Sequence, residues 1–176
     1  MSGLKKILDK CIEKFIVIIL TVMVFVALWQ VASRYVFNSP STISEELLRY
    51  CLIWLAMLGS AYMFGLREHI SMTFLVEKFS DNVRQKLSIL SEVVIIIFSS
   101  TVLVYGGINI TSLTMKQISA ALGISMGYVY MVLPLSGLLM IFYGVNNILN
   151  IVKEKNVVES KQNKIKYNYE EGFYEF

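Results

Sequence analysis

Apolar runs long enough to cross a membrane occur four times along the chain, separated by short polar sections. A helix crosses the hydrocarbon core of a bilayer with about 20 consecutive apolar residues. The runs cover about residues 15–37, 45–66, 87–110 and 128–151. The pattern therefore predicts an all-α integral membrane protein with four transmembrane helices in a membrane domain at 15–151.

Two polar segments flank this domain. In residues 1–14, apolar side chains share one helical face and lysines the other, which is typical of a helix lying in the plane of the membrane interface. An extension of the first span is the alternative. The following apolar run is longer than the 7–15 residues of a signal peptide. Residues 152–176 are polar without a core-forming period, so we expect a cytoplasmic tail there.

Composition and charge support a membrane protein with a defined orientation. The chain is 56% hydrophobic and only 16% charged, with a mean hydropathy of +0.61, whereas roughly a quarter of the residues in a soluble domain are charged. Lysine and arginine gather before the first span, between the second and third, and after the fourth. The positive-inside rule therefore predicts that both termini and the middle loop are cytoplasmic.

The sequence does not favour a metal site or redox chemistry. Cys11 and Cys51 form no CxxC motif, and His69 is the only histidine, so no catalytic, cofactor-binding or metal-binding residues are predicted. A membrane thiol oxidoreductase, one alternative, needs two paired and exposed cysteines. The predicted topology puts these two on opposite membrane faces.

Charged residues crowd the entrance of the second span. Thr42 and Glu45 fit a capping box, with Thr42 as the N-cap. Glu45 and Arg49 have the i, i+4 spacing of a helical ion pair. Arg34, near the end of the first span, is placed to reach Glu46 across the short loop. These residues are predicted to form either a structural clamp or a docking surface for a second protein.

A second set of ionisable residues lies near the other membrane face. Arg67 and His69 close the second span, which indicates a span boundary with a snorkelling arginine. The alternative, a proton relay through His69, needs several ionisable groups across the membrane, and the middle of the second span offers only Ser60 and Tyr62. Glu92 is six residues past Lys86, about 9 Å into the third span. It either snorkels back or pairs with a basic group of another chain.

Small residues and proline mark helix-packing positions. Ala56 and Ser60 form a small-xxx-small pair beside Gly59, a pattern that lets membrane helices approach closely. Pro134 and Gly137 predict a kink or a close contact in the fourth span.

The middle of the spans carries only scattered Ser and Thr. A transporter of charged solutes needs polar groups or unwound helices there, so we do not expect this chain to form a substrate pathway alone. The alternative, a self-sufficient proton-coupled transporter, would place an acid deeper in a span.

A series of motifs occurs in a fixed order across residues 15–150. They are Arg34-Tyr35-Val36-Phe37, Ser44-Glu45-Glu46, Arg49-Tyr50, Trp54-Leu55-Ala56-Met57-Leu58-Gly59-Ser60-Ala61, Arg67-Glu68-His69-Ile70 and Ala121-Leu122-Gly123-Ile124, followed by Tyr130 and Pro134. Together they resemble the small membrane subunit of TRAP transporters, the tripartite ATP-independent periplasmic transporters. The chain departs from that pattern at Ile43, where many relatives carry an aromatic residue, and at Met126-Gly127, where tryptophan is frequent.

The resemblance implies a role in a transport complex of the bacterial inner membrane. In that family a periplasmic binding protein delivers an organic acid, such as a C4-dicarboxylate or sialic acid. A large multi-span permease subunit then binds the acid with sodium ions. The small subunit resembles a membrane scaffold in contact with lipid, and no nucleic-acid partner is expected. By position, Glu45, Glu46 and Arg49 resemble an outer-face cluster, and Arg67 and His69 resemble inner-face anchors against the large subunit.

Overall fold

The structure is a computed structural model that describes residues 2–66 and 81–171. Helices account for nearly all of these residues. They are α1 (Ser2–Tyr35), α2 (Thr42–Gly65), α3 (Asp81–Phe98), a π-helical segment (Ser99–Gly106), α4 (Gly107–Thr114), α5 (Met126–Tyr130) and α6 (Val132–Glu171).

Four stretches of helix in the described residues are long and apolar enough to cross a membrane, which confirms the four-span prediction. Span one is Lys5–Tyr35 and span two is Thr42–Gly65. Span three, Lys86–Thr114, combines α3, the π-helical segment and α4, and span four is Met126–Lys153. The fourth helix continues beyond its span to Glu171, through most of the polar tail.

Span four lies between spans two and three, and span two lies between spans one and four. Glycines allow these close contacts, since a Cβ built on each would meet a neighbouring side chain. A Cβ on Gly65 would lie 2.8 Å from the Tyr143 ring, and one on Gly144 would lie 2.8 Å from Ile96. Span four therefore packs against both of its neighbours at almost backbone distance.

The N-terminal segment differs from the predicted in-plane helix. Ser2–Tyr35 is one continuous helix, so residues 2–14 form the first turns of span one. The segment contains no proline to interrupt the helix. Ile12 is buried against Phe64 and Tyr143, whereas Ile7 and Cys11 of the predicted apolar face are exposed.

Spans three and four both depart from regular α-helix. Span three contains eight residues of π-helix, Ser99–Gly106, although π-helices mostly occur as single turns. Span four is broken at Met131, between α5 and α6. Pro134 explains this break because it has no N–H to donate to the carbonyl of Tyr130, four residues earlier.

The segment between spans three and four folds back on itself. Ile118 and Ser125 form an isolated antiparallel bridge. Gly123 supplies the positive φ of 68° that the turn between them requires. We call residues 115–125 the return loop. Its position brings Ser119, Ala121 and Leu122 to the beginning of α2.

Candidate functional site

The N-terminus of α2 is capped one residue earlier than the sequence predicts. Ser41 has an extended conformation (φ −89°, ψ 101°), and its hydroxyl accepts a hydrogen bond from the backbone N–H of Ser44 at 3.4 Å. The Ser44 hydroxyl donates in return to the Ser41 carbonyl at 2.9 Å. The predicted cap at Thr42, with Glu45 as its partner, is therefore wrong, because this serine pair already satisfies the helix end.

Glu46 connects the start of α2 to the return loop. One carboxylate oxygen, Oε2, accepts hydrogen bonds from the backbone N–H groups of Ala121 at 2.8 Å and Leu122 at 3.0 Å. The other, Oε1, accepts from the Tyr50 hydroxyl one helical turn below. The Ser119 hydroxyl also contacts Glu46 and accepts from the Leu122 N–H at 3.1 Å. We call these five residues the Glu46 cluster.

The Glu46 cluster attaches the return loop to α2, while the turn of the loop itself is held by the bridge between Ile118 and Ser125 and by backbone hydrogen bonds. Hydrogen bonds to an ionised group are stronger than those between neutral groups, and two adjacent N–H donors aimed at one oxygen form a small anion-binding nest. Tyr50 is buried, and its hydroxyl lies 3.1 Å from the sulfur of Met126 at the start of span four. The cluster thus links spans two and four through the loop.

The remaining charges at this end do not form the predicted clamp. Arg49 and Glu45 pair at 3.5 Å across one helical turn, as their spacing predicts, with 67% and 62% of their side chains exposed. Arg34 is exposed, and Glu46 is bonded to the loop and Tyr50 instead. The predicted contact between Arg34 and Glu46 is therefore wrong. The physical reason is that the backbone N–H groups of Ala121 and Leu122 already donate hydrogen bonds to the Glu46 carboxylate.

A second polar cluster lies at the other end of span two, about 28 Å away along the helix. The hydroxyl of Tyr143 donates to Asp9 at 2.6 Å, and the ammonium of Lys5 donates to the carbonyl of Gly65 at 2.8 Å. Lys5 also lies 5.8 Å from the centre of the Tyr143 ring, within the range of a cation–π contact. We call Lys5, Asp9, Ile12, Gly65 and Tyr143 the Tyr143 cluster. It attaches the N-terminal turns of α1 to spans two and four.

Glu92 lies inside the bundle rather than on its surface. Its side chain is buried, and its Oε1 accepts a hydrogen bond from the Asn147 amide at 3.1 Å. Gly144 lies beside this carboxylate, since a Cβ there would be in ordinary van der Waals contact with Glu92 Oε2, at 3.7 Å. Span three therefore contacts span four through a polar pair. Arg67 and His69, predicted to join Glu92 as inner-face anchors, lie outside the described residues.

The predicted packing residues fall into two groups. Pro134 and Gly137 lie at a close contact between helices, because a Cβ on Gly107 would be 2.9 Å from Pro134 and one on Gly137 would be 2.8 Å from Leu103. The small residues of span two behave differently. Ala56 and Ser60 are exposed, and a Cβ on Gly59 would meet nothing within 4 Å.

Sequence reasoning missed both long-range partnerships. Asp9 and Tyr143 are 134 positions apart, and Glu46 is 75 positions from Ala121. A weak signal existed for the Tyr143 cluster, since Asp9 is an acid among lysines on an amphipathic segment. For the Glu46 cluster no local signal exists, because its donors are backbone groups.

These features define a membrane-embedded four-helix subunit whose spans are held together by polar contacts near both ends. The sequence profile of "Tripartite ATP-independent periplasmic transporters, DctQ component" matches residues 23–154, three quarters of the chain. The chain belongs to this family, the small permease subunits of TRAP transporters.

Individual relatives cover most of the chain. It is 27% identical over 153 residues to the sialic acid TRAP transporter small permease protein SiaQ of Vibrio cholerae, which covers 87% of this chain and 88% of SiaQ. A Haemophilus influenzae protein that carries the name of a TRAP transporter small permease is 29% identical over 139 residues, covering 79% and 86%.

A third relative is much longer than this chain. The sialic acid TRAP transporter permease protein SiaT of Haemophilus influenzae is 27% identical over 113 residues, which are 64% of this chain but only 18% of SiaT. A segment similar to this chain is thus one part of a larger permease polypeptide. This chain corresponds to the small-permease segment, so its relatives imply that it has a large permease partner.

Proposed function

We propose that this chain is the scaffold of a sodium-coupled TRAP transporter that takes up an organic acid of the sialic acid type. Its partners in this proposal are a large permease subunit and a periplasmic solute-binding protein. The relationship to SiaQ over 88% of that protein is the observation that carries the proposal. The SiaT match supports a permease partner, because there the two kinds of segment share one polypeptide.

The packing of the four spans supports a scaffold. Span four contacts both neighbours at almost backbone distance through Gly65, Gly137 and Gly144. Ser99 and Ser136, two polar residues within the spans, are fully buried, and Ser136 donates to the carbonyl of Leu133 on its own helix. A bundle that packs this closely resists deformation. Such rigidity suits a fixed element against which a moving permease domain works.

The proposal includes an orientation in which both termini are cytoplasmic and the Glu46 cluster lies on the periplasmic side. Cys11 offers a test, since it is exposed near the N-terminus while Cys51 is half-buried in span two. In a Cys51→Ser background, a membrane-impermeant maleimide should label Cys11 in inverted vesicles but not in intact spheroplasts. Labelling in intact spheroplasts would reverse the orientation.

Reconstitution of the complete transporter tests the function. Proteoliposomes that contain this chain and the large permease, with the binding protein added outside, should accumulate radiolabelled N-acetylneuraminate when an inward sodium gradient is applied. Replacing sodium by potassium should abolish uptake, and so should omission of this chain. A parallel assay with succinate separates the sialic acid class from the dicarboxylate class.

Three results would contradict parts of this proposal. Full uptake without this chain would contradict the need for a scaffold. Uptake driven by a proton gradient alone would contradict sodium coupling. Uptake by this chain without a large permease would support a self-sufficient transporter, the alternative function.

A further inference from the structure

The outward face of α2 differs from an ordinary lipid-facing surface. Six exposed residues lie on it at helical spacing, starting with the ion pair and continuing to the far end of the helix. They are Glu45, Arg49, Leu52, Ala56, Ser60 and Met63. The buried residues of α2, among them Tyr50, Ala61 and Phe64, lie on the opposite side. We call the six exposed residues the α2 outward face.

The outward face of α1 provides a comparison within the same molecule. Most of its exposed residues in mid-span are large and apolar, among them Val24, Phe25 and Leu28, with Thr21 as an exposed polar residue that donates to the Val17 carbonyl of its own helix. Large apolar side chains are well suited to contact with acyl chains. The α2 outward face instead carries two charges at one end and an alanine and a serine in its middle. Two neighbouring membrane-spanning helices therefore present surfaces that differ in charge and side-chain size.

The ion pair is the strongest sign that protein covers this face. Arg49 lies seven residues past Thr42, about 10 Å along a helix that is itself about 36 Å long. Charged residues inside membrane spans almost always face other protein or water, because lipid cannot solvate them. More than 60% of each of the Glu45 and Arg49 side chains is exposed, so the described part of the chain leaves most of this pair uncovered.

The shape of the α2 outward face admits an approaching helix. A Cβ on Gly59, beside the face, would meet nothing within 4 Å. The Ser60 hydroxyl donates to the Ala56 carbonyl at 2.7 Å, so no polar group in the middle of the face requires water. Small side chains at such positions let two membrane helices pack closely.

We propose that the α2 outward face is the surface on which a transmembrane helix of the large permease subunit packs. The inference rests on the proposed function, which supplies the partner. The exposed ion pair commits it to a protein helix that presents polar or charged groups opposite Glu45 and Arg49, and a small or apolar surface opposite Ala56. The ion pair sets the register, and the small residues allow the close approach.

Co-purification of the large permease tests this surface in the assembled complex. The tagged small subunit is purified from membranes that express both subunits, and the ratio of large to small subunit is measured. Ala56→Trp should lower that ratio at least tenfold, because the indole fills the space for the partner helix. The matched control is Val24→Trp, an equally exposed position on α1, which should leave the ratio unchanged.

A second variant tests the charges separately. Glu45→Gln combined with Arg49→Gln keeps a polar side chain at both positions and removes both charges. The ratio of large to small subunit should fall about fivefold. Restoring only Glu45 or only Arg49 should not bring the ratio back. Since both residues are exposed, the small subunit itself should keep its unfolding temperature, which separates loss of docking from loss of folding.

The outcomes separate the surface from the function. An unchanged ratio in Ala56→Trp, or an equal loss in Val24→Trp, would overturn the α2 surface while the co-purification itself still supports the transporter. An unchanged ratio in the double glutamine variant would show that the ion pair reaches the lipid headgroups, which overturns its role in the register. Absence of the large permease even with the unmodified chain would contradict the proposed function and the surface with it.

Discussion

The two polar clusters at opposite ends of span two use different chemistry to hold the bundle together. In the Glu46 cluster one carboxylate accepts from two backbone N–H groups and a phenol, and so shapes a loop. In the Tyr143 cluster the contacts join one helix to two others through a phenol–carboxylate bond and a lysine–carbonyl bond. One cluster thus determines a loop conformation, and the other determines how a terminal segment docks.

This difference predicts how each end responds to substitution. The attachment of the return loop to α2 rests mainly on one residue, because the N–H groups of Ala121 and Leu122 share one oxygen of Glu46. The N-terminal segment has several independent attachments, including the apolar contact of Ile12 with Phe64 and Tyr143. We therefore expect larger losses at the Glu46 cluster than at the Tyr143 cluster.

Glu46→Gln should have the largest effect on stability. Its amide keeps the size of the carboxylate, but one end becomes a donor, which can no longer satisfy both the phenol and the two N–H groups. Because hydrogen bonds to a charged group are stronger than those between neutral groups, this variant should lose more stability than the others below. Thermal unfolding in detergent measures the change, and trypsin cleavage after the exposed Lys116 reports release of the return loop.

Glu45→Gln, one position earlier, is the matched control for this prediction. Its carboxylate forms only an exposed ion pair, which contributes less than about 1 kcal/mol. In the isolated subunit both its stability and the cleavage at Lys116 should therefore stay near those of the unmodified chain. Equal losses in the two variants would show that charge in the first turns of α2, rather than the contacts of Glu46, stabilises the loop.

Gly65→Ala should have the next largest effect, at the Tyr143 end. The added Cβ would lie 2.8 Å from the ring of a fully buried tyrosine, so span two or span four must move. Overpacking of this kind costs about 2 kcal/mol. Gly59→Ala in the same helix meets open space, and the gain in helix propensity should stabilise it by up to about 1 kcal/mol. Opposite signs in thermal unfolding confirm the contact, and equal signs contradict it.

Tyr143→Phe should have a smaller effect than Gly65→Ala because it removes one hydroxyl and leaves the ring in place. The Asp9 carboxylate loses its donor at a cost of about 1.5 kcal/mol. Faster hydrogen exchange should be confined to the first turns of α1, which this bond attaches. Tyr105→Phe, at an exposed tyrosine of span three, serves as the control and should change neither quantity.

The sequence predicts the spans of this protein far better than it predicts the contacts between them. Each span depends on local apolar composition, which can be read along the chain, and the predicted runs agree with the four spans within about four residues at every end except the start of span one, which begins ten residues earlier at Lys5. The irregularity near Met131 could also be inferred from the sequence, because Pro134 has no N–H to donate to the carbonyl of Tyr130, four residues before it. The eight-residue π-helical segment was not, because nothing in SSTVLVYG distinguishes it from α-helix.

The candidate site could be predicted only where its partners are close in sequence. The Glu45–Arg49 pair follows from i, i+4 spacing. Glu46 was singled out, but its partner was assigned to Arg34 because a side-chain charge is visible in a sequence and a backbone N–H is not. Asp9 and Tyr143 meet only after α1 has packed on the bundle, so their contact depends on tertiary structure alone.

The smallest expected effect tests whether Ser41 or Thr42 is the N-cap of α2. Ser41→Ala removes the hydroxyl that accepts from the Ser44 N–H, and an N-cap exchange of this kind costs about 1 kcal/mol. The 3.4 Å length of this bond places the effect toward the lower end. Thr42→Ala should be nearly neutral, since Thr42 is exposed and begins the helix without capping it. Thermal unfolding of both variants, alone and with Glu46→Gln, then shows whether the cap contributes to seating the return loop. Additive losses make the cap an independent feature of α2, whereas a reduced loss in the double variant means that Ser41 acts by positioning Glu46.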